Sequence, residues 1–269
     1  MSKSRIRRTR AGFASRQFSV SHPLRITAAA QATLLTLIGS SHAQTLPAPP
    51  AANALPSGGQ VVAGQATIGT PQNNNLTIQQ QSQNAAINWQ SFNIGSAASV
   101  NFNQPASSSV VLNRVIGQDP AQILGKLSAN GQVFILNPNG VLFGKGAQVT
   151  VGGLVASTLN ISNEAFMAGE RSGKYTFTNE AQGIGTLAGK VINLADIKAA
   201  GGYIAFIGQQ VSNQGNLLAA SGSVALAAGD QVTLTLAGSN RIGLTVDQGT
   251  LDALAENKGL IKADGGMVI

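Results

Sequence analysis

Carboxylates are the side chains of this chain that could perform acid–base or metal chemistry, because the other catalytic types are scarce. The chain has no cysteine and only two histidines, His22 and His42. A Ser-His-Asp or Cys-His nucleophile, or a zinc site built on His or Cys, therefore has no residues available after position 42. The ten acidic residues are Asp119, Glu164, Glu170, Glu180, Asp196, Asp230, Asp247, Asp252, Glu256 and Asp264. No two of them are adjacent or one residue apart, whereas calcium sites and acid–base pairs favour close carboxylates. We interpret them as solvated surface charge and predict no enzymatic activity, no metal site and no cofactor.

The net charge of +7 and the pI near 10.2 are typical of nucleic-acid or membrane-surface binding, but the position of the charge argues against both. Seven of the 17 basic residues lie within the first 25 positions. The remaining ten are balanced by the ten acids, and no charged residue lies between Arg25 and Arg114. Because a nucleic-acid groove needs clustered cations, we predict no nucleic-acid binding.

The first 43 residues have the pattern of a signal peptide. A basic start is followed by the apolar segment ITAAAQATLLTLIG at 26–39, which is shorter than the about 20 residues that span a bilayer. Ser41 and Ala43 fit the −3 and −1 positions of a cleavage site, so we predict cleavage between Ala43 and Gln44 after export by the Sec machinery. An uncleaved amphipathic anchor is the alternative. Residues 44–57 are rich in Pro and Ala and predict a flexible or extended linker.

From Gly58 onward, short runs of Leu, Ile or β-branched residues alternate with Gly, Asn, Ser or Gln, a texture that predicts strands. The clearest runs are 76–78, 100–102, 149–151, 175–177, 203–207, 224–226 and 232–236. Helix signals are few. Residues 119–125 (DPAQILG) carry an N-cap, a proline at the first helical position and a closing glycine, which predicts one or two helical turns. Residues 164–169 are a second, weaker helix prediction.

An internal repeat of about 20 residues indicates a solenoid. The segment IKAAGGYI at 197–204 aligns with LLAASGSV at 217–224, and again with IKADGGMV at 261–268, which we interpret as two further periods of 22. With few helices, the repeat predicts an all-β fold, a right-handed parallel β-helix with less than about 10% helix and short extra-helical β elements. Residues 60–103 are less repetitive and would form the N-terminal cap. Because the sequence stops within a repeat, we expect the domain 58–269 to continue beyond residue 269.

A tight turn divides the apolar runs 133–136 and 141–143. Asn137-Pro138-Asn139-Gly140 places proline where a β-turn needs a fixed φ, and Asn and Gly where backbones with unusual φ are tolerated. The turn predicts a corner that fixes strand register, with Asn139 in the left-handed region.

The stretch QVFILNPNGVLFGKGAQVTVGGLVAST at 132–158 resembles the secretion domain of the filamentous-haemagglutinin family, the exported partners of two-partner secretion systems. The resemblance extends through INWQSFNIG at 87–95 and VVLNRVIGQDPAQILGK at 110–126. It implies an N-terminal secretion domain of a large surface or secreted protein of the adhesin type. The domain would be recognised by an outer-membrane transporter with periplasmic POTRA domains and would nucleate β-helix folding at the cell surface. Downstream regions would contact host or neighbouring cells.

The resemblance also assigns functional residues. Asn137, Pro138, Asn139 and Gly140 would belong to the signal that the transporter recognises, beside their structural role as a corner. Asn73, Asn74, Asn75 and Leu76 resemble a second Asn-rich motif of the family, for which a plain turn is the alternative. Two other protein classes stay open on the sequence: the β-helical passenger of a single-chain autotransporter and a secreted polysaccharide lyase.

Overall fold

The computed structural model describes residues 46–180, 183–200, 202–237, 241–264 and 266–269, so the signal peptide and the Ala43–Gln44 cleavage site lie outside the described residues. The strands are β1 (Gln60–Ala63), β2 (Ala66–Ile68), β3 (Asn75–Gln80), β4 (Asn84–Trp89), β5 (Ser99–Asn103), β6 (Val110–Val115), β7 (Ala121–Ile123), β8 (Lys126–Ala129), β9 (Gln132–Leu136), β10 (Val141–Phe143), β11 (Gln148–Val151), β12 (Gly153–Ser157), β13 (Lys174–Thr178), β14 (Lys190–Asn193), β15 (Asp196–Ala200), β16 (Ile204–Gly208), β17 (Gln210–Asn213), β18 (Asn216–Ala220), β19 (Val224–Ala228), β20 (Gln231–Ala237), β21 (Arg241–Gln248), β22 (Leu254–Asn257) and β23 (Leu260–Lys262). One helix, α1 (Asn163–Ser172), lies between β12 and β13. Among the described residues, no helix has the length and apolar character needed to cross a membrane.

Three parallel sheets form the walls of a solenoid. Sheet I contains β4, β6, β9, β12, β16 and β19, sheet II contains β7, β10, β14, β17 and β22, and sheet III contains β3, β5, β8, β11, β15, β18 and β23. Each turn visits the sheets in the order I, II, III, and the solenoid has about six turns with 5% helix. The antiparallel strands β1 and β2 pair with the first strands of sheets I and III. The predictions of an all-β, helix-poor parallel solenoid with extra-helical elements are confirmed.

The strand register confirms the 20-residue repeat and corrects its continuation. Ile197 pairs with Leu217, and Ile204 pairs with Val224, so the predicted alignment is the physical stacking of one turn on the next. Leu217 also pairs directly with Ile261. The spacing of 44 residues is therefore one turn and not two, because residues 229–250 leave the solenoid to form the β20–β21 hairpin.

Two hydrophobic cores share sheet I. The inner core fills the solenoid with residues such as Trp89, Val149 and Phe206. Residues 158–189 and 229–250 both leave the solenoid at the corner between sheets I and II, and their strands β13, β20 and β21 form one antiparallel outer sheet. This outer sheet and α1 cover the outward face of sheet I, where Phe134 and Ile207 are fully buried. Because both faces of sheet I are covered, its strands are nearly continuous apolar runs.

The helix predictions had opposite outcomes. The weaker one, at 164–169, is confirmed: α1 begins after Ser162, whose hydroxyl accepts a hydrogen bond from the N–H of Ala165, and ends at Gly173 in the left-handed region. The stronger one, at 119–125, is wrong, because Ala121–Ile123 is strand β7. It pairs in parallel with β10, so the neighbouring turn supplies hydrogen bonds that outweigh the local helix propensity.

The Pro/Ala-rich segment is extended but bound to the domain. The carbonyl of Ala54 accepts a hydrogen bond from the N–H of Gly95 at 2.9 Å, and the carbonyl of Ala48 accepts one from the amide of Gln122 at 3.0 Å. Leu55 packs against the inner core. Of the two predictions for residues 44–57, flexible or extended, the described part is extended, and backbone and apolar contacts fix it to the domain.

A ladder of asparagines runs along sheet II inside the solenoid. Asn193, Asn213 and Asn257 occupy the same register position in β14, β17 and β22. The amide of Asn193 donates to Asn213 at 2.8 Å, and the amide of Asn213 donates to Asn257 at 2.6 Å. Asn193 and Asn213 are fully buried, and each side-chain amide forms a hydrogen bond with the asparagine one turn further along the solenoid.

Candidate functional site

The candidate site is the 137–140 corner, where the chain passes from sheet I (β9) to sheet II (β10). The N–H of Gly140 donates to the carbonyl of Asn137 at 3.0 Å, which closes a β-turn. The side-chain oxygen of Asn137 accepts from the N–H of Asn139 at 2.9 Å, an Asx turn inside the β-turn. Asn at the first position, Pro at the second and Gly at the fourth are the preferences of a type I turn.

Asn137 joins three consecutive turns of the solenoid and has no exposed surface. Its side-chain amide donates to the carbonyl of Asp119 in the preceding turn at 2.9 Å. Its backbone N–H donates to the carbonyl of Ser157 in the following turn at 2.9 Å. A residue in this position holds the corner in register but offers no side-chain atom to a partner of the folded domain.

Asn139 connects two loops that are distant in sequence, and it is 6% exposed. Its amide donates to the carbonyl of Gly117 at 2.9 Å, while its side-chain oxygen accepts from the N–H of Ile184 at 2.8 Å. Pro138 contacts the same second loop, because its carbonyl accepts from the N–H of Gly189 at 3.1 Å. The corner is therefore enclosed between the preceding turn and the insertion that follows β12.

The positive φ of the corner falls on Gly140 and not on Asn139. Gly140 has φ 110°, and Asn139 is absent from the residues with positive φ. A side chain at position 140 would place its Cβ 2.3 Å from the carbonyl oxygen of Leu187. The expectation of a left-handed Asn139 is wrong: glycine takes the unusual backbone, and Asn139 is needed for its two hydrogen bonds.

The asparagines of the motif at 73–76 are exposed, whereas the two asparagines of the 137–140 corner are buried. Asn73 and Asn74 have φ of 50° and 61° and form the two-residue loop of a tight hairpin, in which Gln72 and Asn75 exchange backbone hydrogen bonds. Two consecutive positive φ values are those of a type I′ turn, which Asn tolerates. Asn73, Asn74 and Asn75 are exposed, whereas Leu76 lies in the inner core. The structure does not bring this hairpin and the 137–140 corner together, since one precedes sheet III and the other joins sheets I and II.

A half-buried arginine next to the corner was missed by the sequence predictions. Arg114 on β6 donates to the side-chain oxygens of Asn160 at 2.9 Å, Asn163 at 2.8 Å and Asn88 at 3.1 Å, and to the carbonyl of Ile161. It thereby ties α1 and its leading loop to sheet I. Burial lowers the pKa of Arg114, while Glu180 and Glu164 raise it. The sequence signal for this site was a single arginine inside the largely apolar run VVLNRV. A charge in such a strand needs several hydrogen-bond partners.

The fold does not gather the acidic residues into a metal site within the described residues. In the part of the chain that the structure describes, no group of three or more His, Cys, Asp or Glu side chains could hold a metal ion. A cleft of about 580 Å³ beside α1 is lined by polar side chains including Asn84, Asn130 and Gln132, and Glu170 is its single carboxylate. Tyr175 is the other titratable side chain of this lining, and burial raises its pKa.

Comparisons with known proteins agree on one family. The family model described as "TPS secretion domain" matches residues 52–269. The chain is 36% identical over 231 residues to the heme/hemopexin-binding protein of Haemophilus influenzae strain Rd, which covers 86% of this chain and 24% of that protein. A second heme/hemopexin-binding protein of Haemophilus influenzae is 42% identical over 123 residues, which is 46% of this chain and 13% of the relative. The chain thus spans about a quarter or less of these relatives.

Solved structures give the same result. The crystal structure of the HMW1 secretion domain from Haemophilus influenzae matches with a TM-score of 0.68 and 34% identity, over 79% of this chain and 55% of that one. The filamentous hemagglutinin secretion domain matches with a TM-score of 0.50 and 17% identity, over 79% of this chain and 75% of that one, which is evidence for the fold alone.

Proposed function

Because the chain belongs to the TPS secretion domain family, we propose that it is the N-terminal secretion domain of a large adhesin-type protein, recognised by a cognate outer-membrane transporter. Proteins of this family are secreted through the outer membrane and are recognised by dedicated transporters. Membership of the family favours this function over an autotransporter passenger or a polysaccharide lyase. What the whole protein binds at the cell surface is set by regions outside this chain.

The observation that carries the proposal is the 137–140 corner. Its two asparagines are buried, and their side chains bond to the preceding turn, to the 183–189 loop and to each other. The backbone N–H of Asn137 adds the bond to the following turn. A motif with this geometry supports secretion by fixing the register in which successive turns stack. Direct contact of the transporter with Asn137 and Asn139 requires the corner to be unfolded.

The route we propose has three steps. The leader directs the chain through the Sec machinery into the periplasm, where the POTRA domains of the transporter bind it by strand addition and apolar contacts. The chain then crosses the outer membrane and folds outside. Because each turn of a solenoid contacts mainly its neighbours, a folded turn is a template for the next as the chain emerges.

The exposed hairpin at 73–76 is proposed as a separate, surface-borne part of the signal. Asn73, Asn74 and Asn75 are accessible in the folded domain and lie before the first complete turn. Ser99 donates to the side-chain oxygen of Asn75 at 3.1 Å, which holds the hairpin against the next strand of sheet III. A partner can therefore bind this hairpin while the solenoid stays folded.

Secretion with a co-expressed cognate transporter tests the proposal. The readout is the ratio of extracellular to periplasmic protein for the wild type and for the double variant Asn137→Val/Asn139→Val. We expect the wild-type ratio to depend on the transporter and the double variant to lower it at least tenfold. The matched control is Asn101→Val/Asn103→Val on β5, where the side chains face outward and valine suits a strand. Transporter-independent export of the wild type would contradict the proposed function.

A further inference from the structure

The outer core is closed by two segments that are far apart in the chain. The first, residues 158–189, supplies α1 and β13, and the second, residues 229–250, supplies β20 and β21. We call β20 and β21 (residues 231–237 and 241–248) the strap. Until the strap is in place, the outward face of sheet I is covered only by α1 and β13.

The strap contacts the outer core through one row of side chains. β20 pairs antiparallel with β13, so that Leu234 lies opposite Tyr175 and Val232 lies opposite Phe177. All four of these side chains are buried. Beneath them, the ring of Phe134 on sheet I contacts Tyr175 edge-on, with 5.3 Å between ring centroids. Removing β20 would therefore uncover an aromatic cluster.

The outer strand of the strap, β21, contributes little to the buried core. On β21 one side chain, Ile242, is buried, and most of the others are exposed. Within the described residues, β21 has a strand neighbour on one side only, because the outer sheet ends there. Few buried apolar contacts and exposed backbone ladders are the properties of segments that open locally before the whole domain unfolds.

We propose that the strap opens while the inner core stays folded, and that this strap-open form is the form of the domain that contacts the transporter. The second part rests on the proposed function. In the closed domain most of the exposed large apolar side chains lie in the first and last strands, including Val61, Val62, Leu254 and Leu260, and at the final residues Met267, Val268 and Ile269. The strap-open form adds a continuous apolar face and a β13 edge with free backbone groups, the two features that strand addition by a partner needs.

Thiol labelling tests the independent opening, since the chain has no cysteine of its own. Val232→Cys places a thiol on the buried face of the strap, and Val149→Cys places one in the inner core. Both valines are buried strand residues, at 0% and 1% exposure. We expect the thiol at position 232 to react with a maleimide at least tenfold faster under native conditions. Fluorescence of Trp89, the single tryptophan and an inner-core residue, verifies that the solenoid is intact in both variants. Equal labelling rates would overturn the proposal.

A disulfide can lock the strap for the second test. Thr176 and Thr233 are directly opposed on β13 and β20, with their hydroxyl oxygens 3.0 Å apart. Asn179 bonds to Asp230 and Leu236 bonds to Gly173 through the backbone, so Thr176 and Thr233 form a non-hydrogen-bonded pair. Such pairs bring Cα atoms closest and suit the geometry of a disulfide.

Binding of the purified transporter is then measured for Thr176→Cys/Thr233→Cys, oxidised and reduced, with each single variant as a control. We expect the oxidised double variant to bind at least tenfold more weakly than its reduced form, and the single variants to be indifferent to oxidation. Equal binding of the oxidised and reduced forms would overturn the inference while leaving the proposed function intact. Failure of the wild type and of every variant to bind would overturn both.

Discussion

Replacing Asn137 by alanine should destabilise the domain by about 2–4 kcal/mol. The substitution removes two hydrogen bonds, the one donated to the carbonyl of Asp119 and the one accepted from the N–H of Asn139. Each is worth about 1 kcal/mol net, and a buried group left without a partner costs about 1–3 kcal/mol more. Asn137 has no exposed surface, so water cannot replace the lost side chain without rearrangement. The loss is a large part of the about 5–15 kcal/mol that stabilises a typical domain.

Urea unfolding followed by the fluorescence of Trp89 measures this loss. The indole is buried in the inner core, and its N–H donates to Asn113 at 2.9 Å, so its emission reports the folded solenoid. With a dependence of about 1–3 kcal/mol per molar urea, a loss of about 3 kcal/mol lowers the midpoint by about 1–3 M. The matched control is Asn103→Ala, an exposed asparagine whose replacement should stay within about 0.5 kcal/mol.

A second variant separates hydrogen bonding from volume. Asn137→Asp keeps the size of the side chain and its acceptor for the N–H of Asn139, but it replaces the donor to Asp119 with a carboxylate oxygen facing a carbonyl. We expect it to be at least as unstable as Asn137→Ala. If both variants unfold at the midpoint of Asn103→Ala, the hydrogen bonds of Asn137 do not hold the corner and our reasoning is refuted.

Three further predictions use matched positions of the structure. Gly140→Ala should destabilise the domain by at least about 2 kcal/mol more than Gly146→Ala in the same urea assay. Both glycines have positive φ, but only a Cβ at position 140 meets other atoms within 4 Å. Equal losses of stability in the two variants would contradict an enclosed corner. Burial raises the pKa of Tyr203 well above its usual value, so its contribution to stability should be constant below about pH 10 and fall above it, as the unfolded tyrosine ionises first, by up to about 1.4 kcal/mol per pH unit. Alkaline unfolding of Tyr203→Phe should show a shallower fall. Asn213→Ala breaks the asparagine ladder on both sides and should cost about 2–4 kcal/mol by thermal or urea unfolding, whereas Asn216→Ala, next to the same ladder but on the outer surface, should cost less than about 1 kcal/mol.

The corner and the strap stabilise two different parts of the fold. The corner fixes the stacking of consecutive turns early in the chain. The strap closes the second core late, through contacts between residues about 60 positions apart, such as Tyr175 and Leu234. Long-range pairing of this kind forms slowly because the loop must close before the contact stabilises it. In a chain that folds from its N-terminus, most of the inner core, up to Val224, therefore precedes the strap.

The sequence by itself determined the class of fold and the identity of the key turn. The repeat between 197–204 and 217–224 is the actual register of neighbouring turns, because side chains that stack in a column occupy equivalent environments and become similar. The 137–140 turn was predictable because Pro and Gly restrict the backbone locally, whatever surrounds them.

Only the tertiary structure decided which partners these local signals meet. The side chain of Asn139 bonds to Gly117 and to Ile184, and no local rule predicts that these loops lie on either side of it. Residues 119–125 carry good helix signals, yet the neighbouring turn pairs with them as a strand. The 44-residue spacing between Leu217 and Ile261 is one turn of the solenoid, because the β20–β21 pair lies outside the solenoid between them. Local sequence fixes backbone preference and which side chains avoid water, whereas the free energy of hydrogen bonds and buried faces depends on segments that only folding brings together.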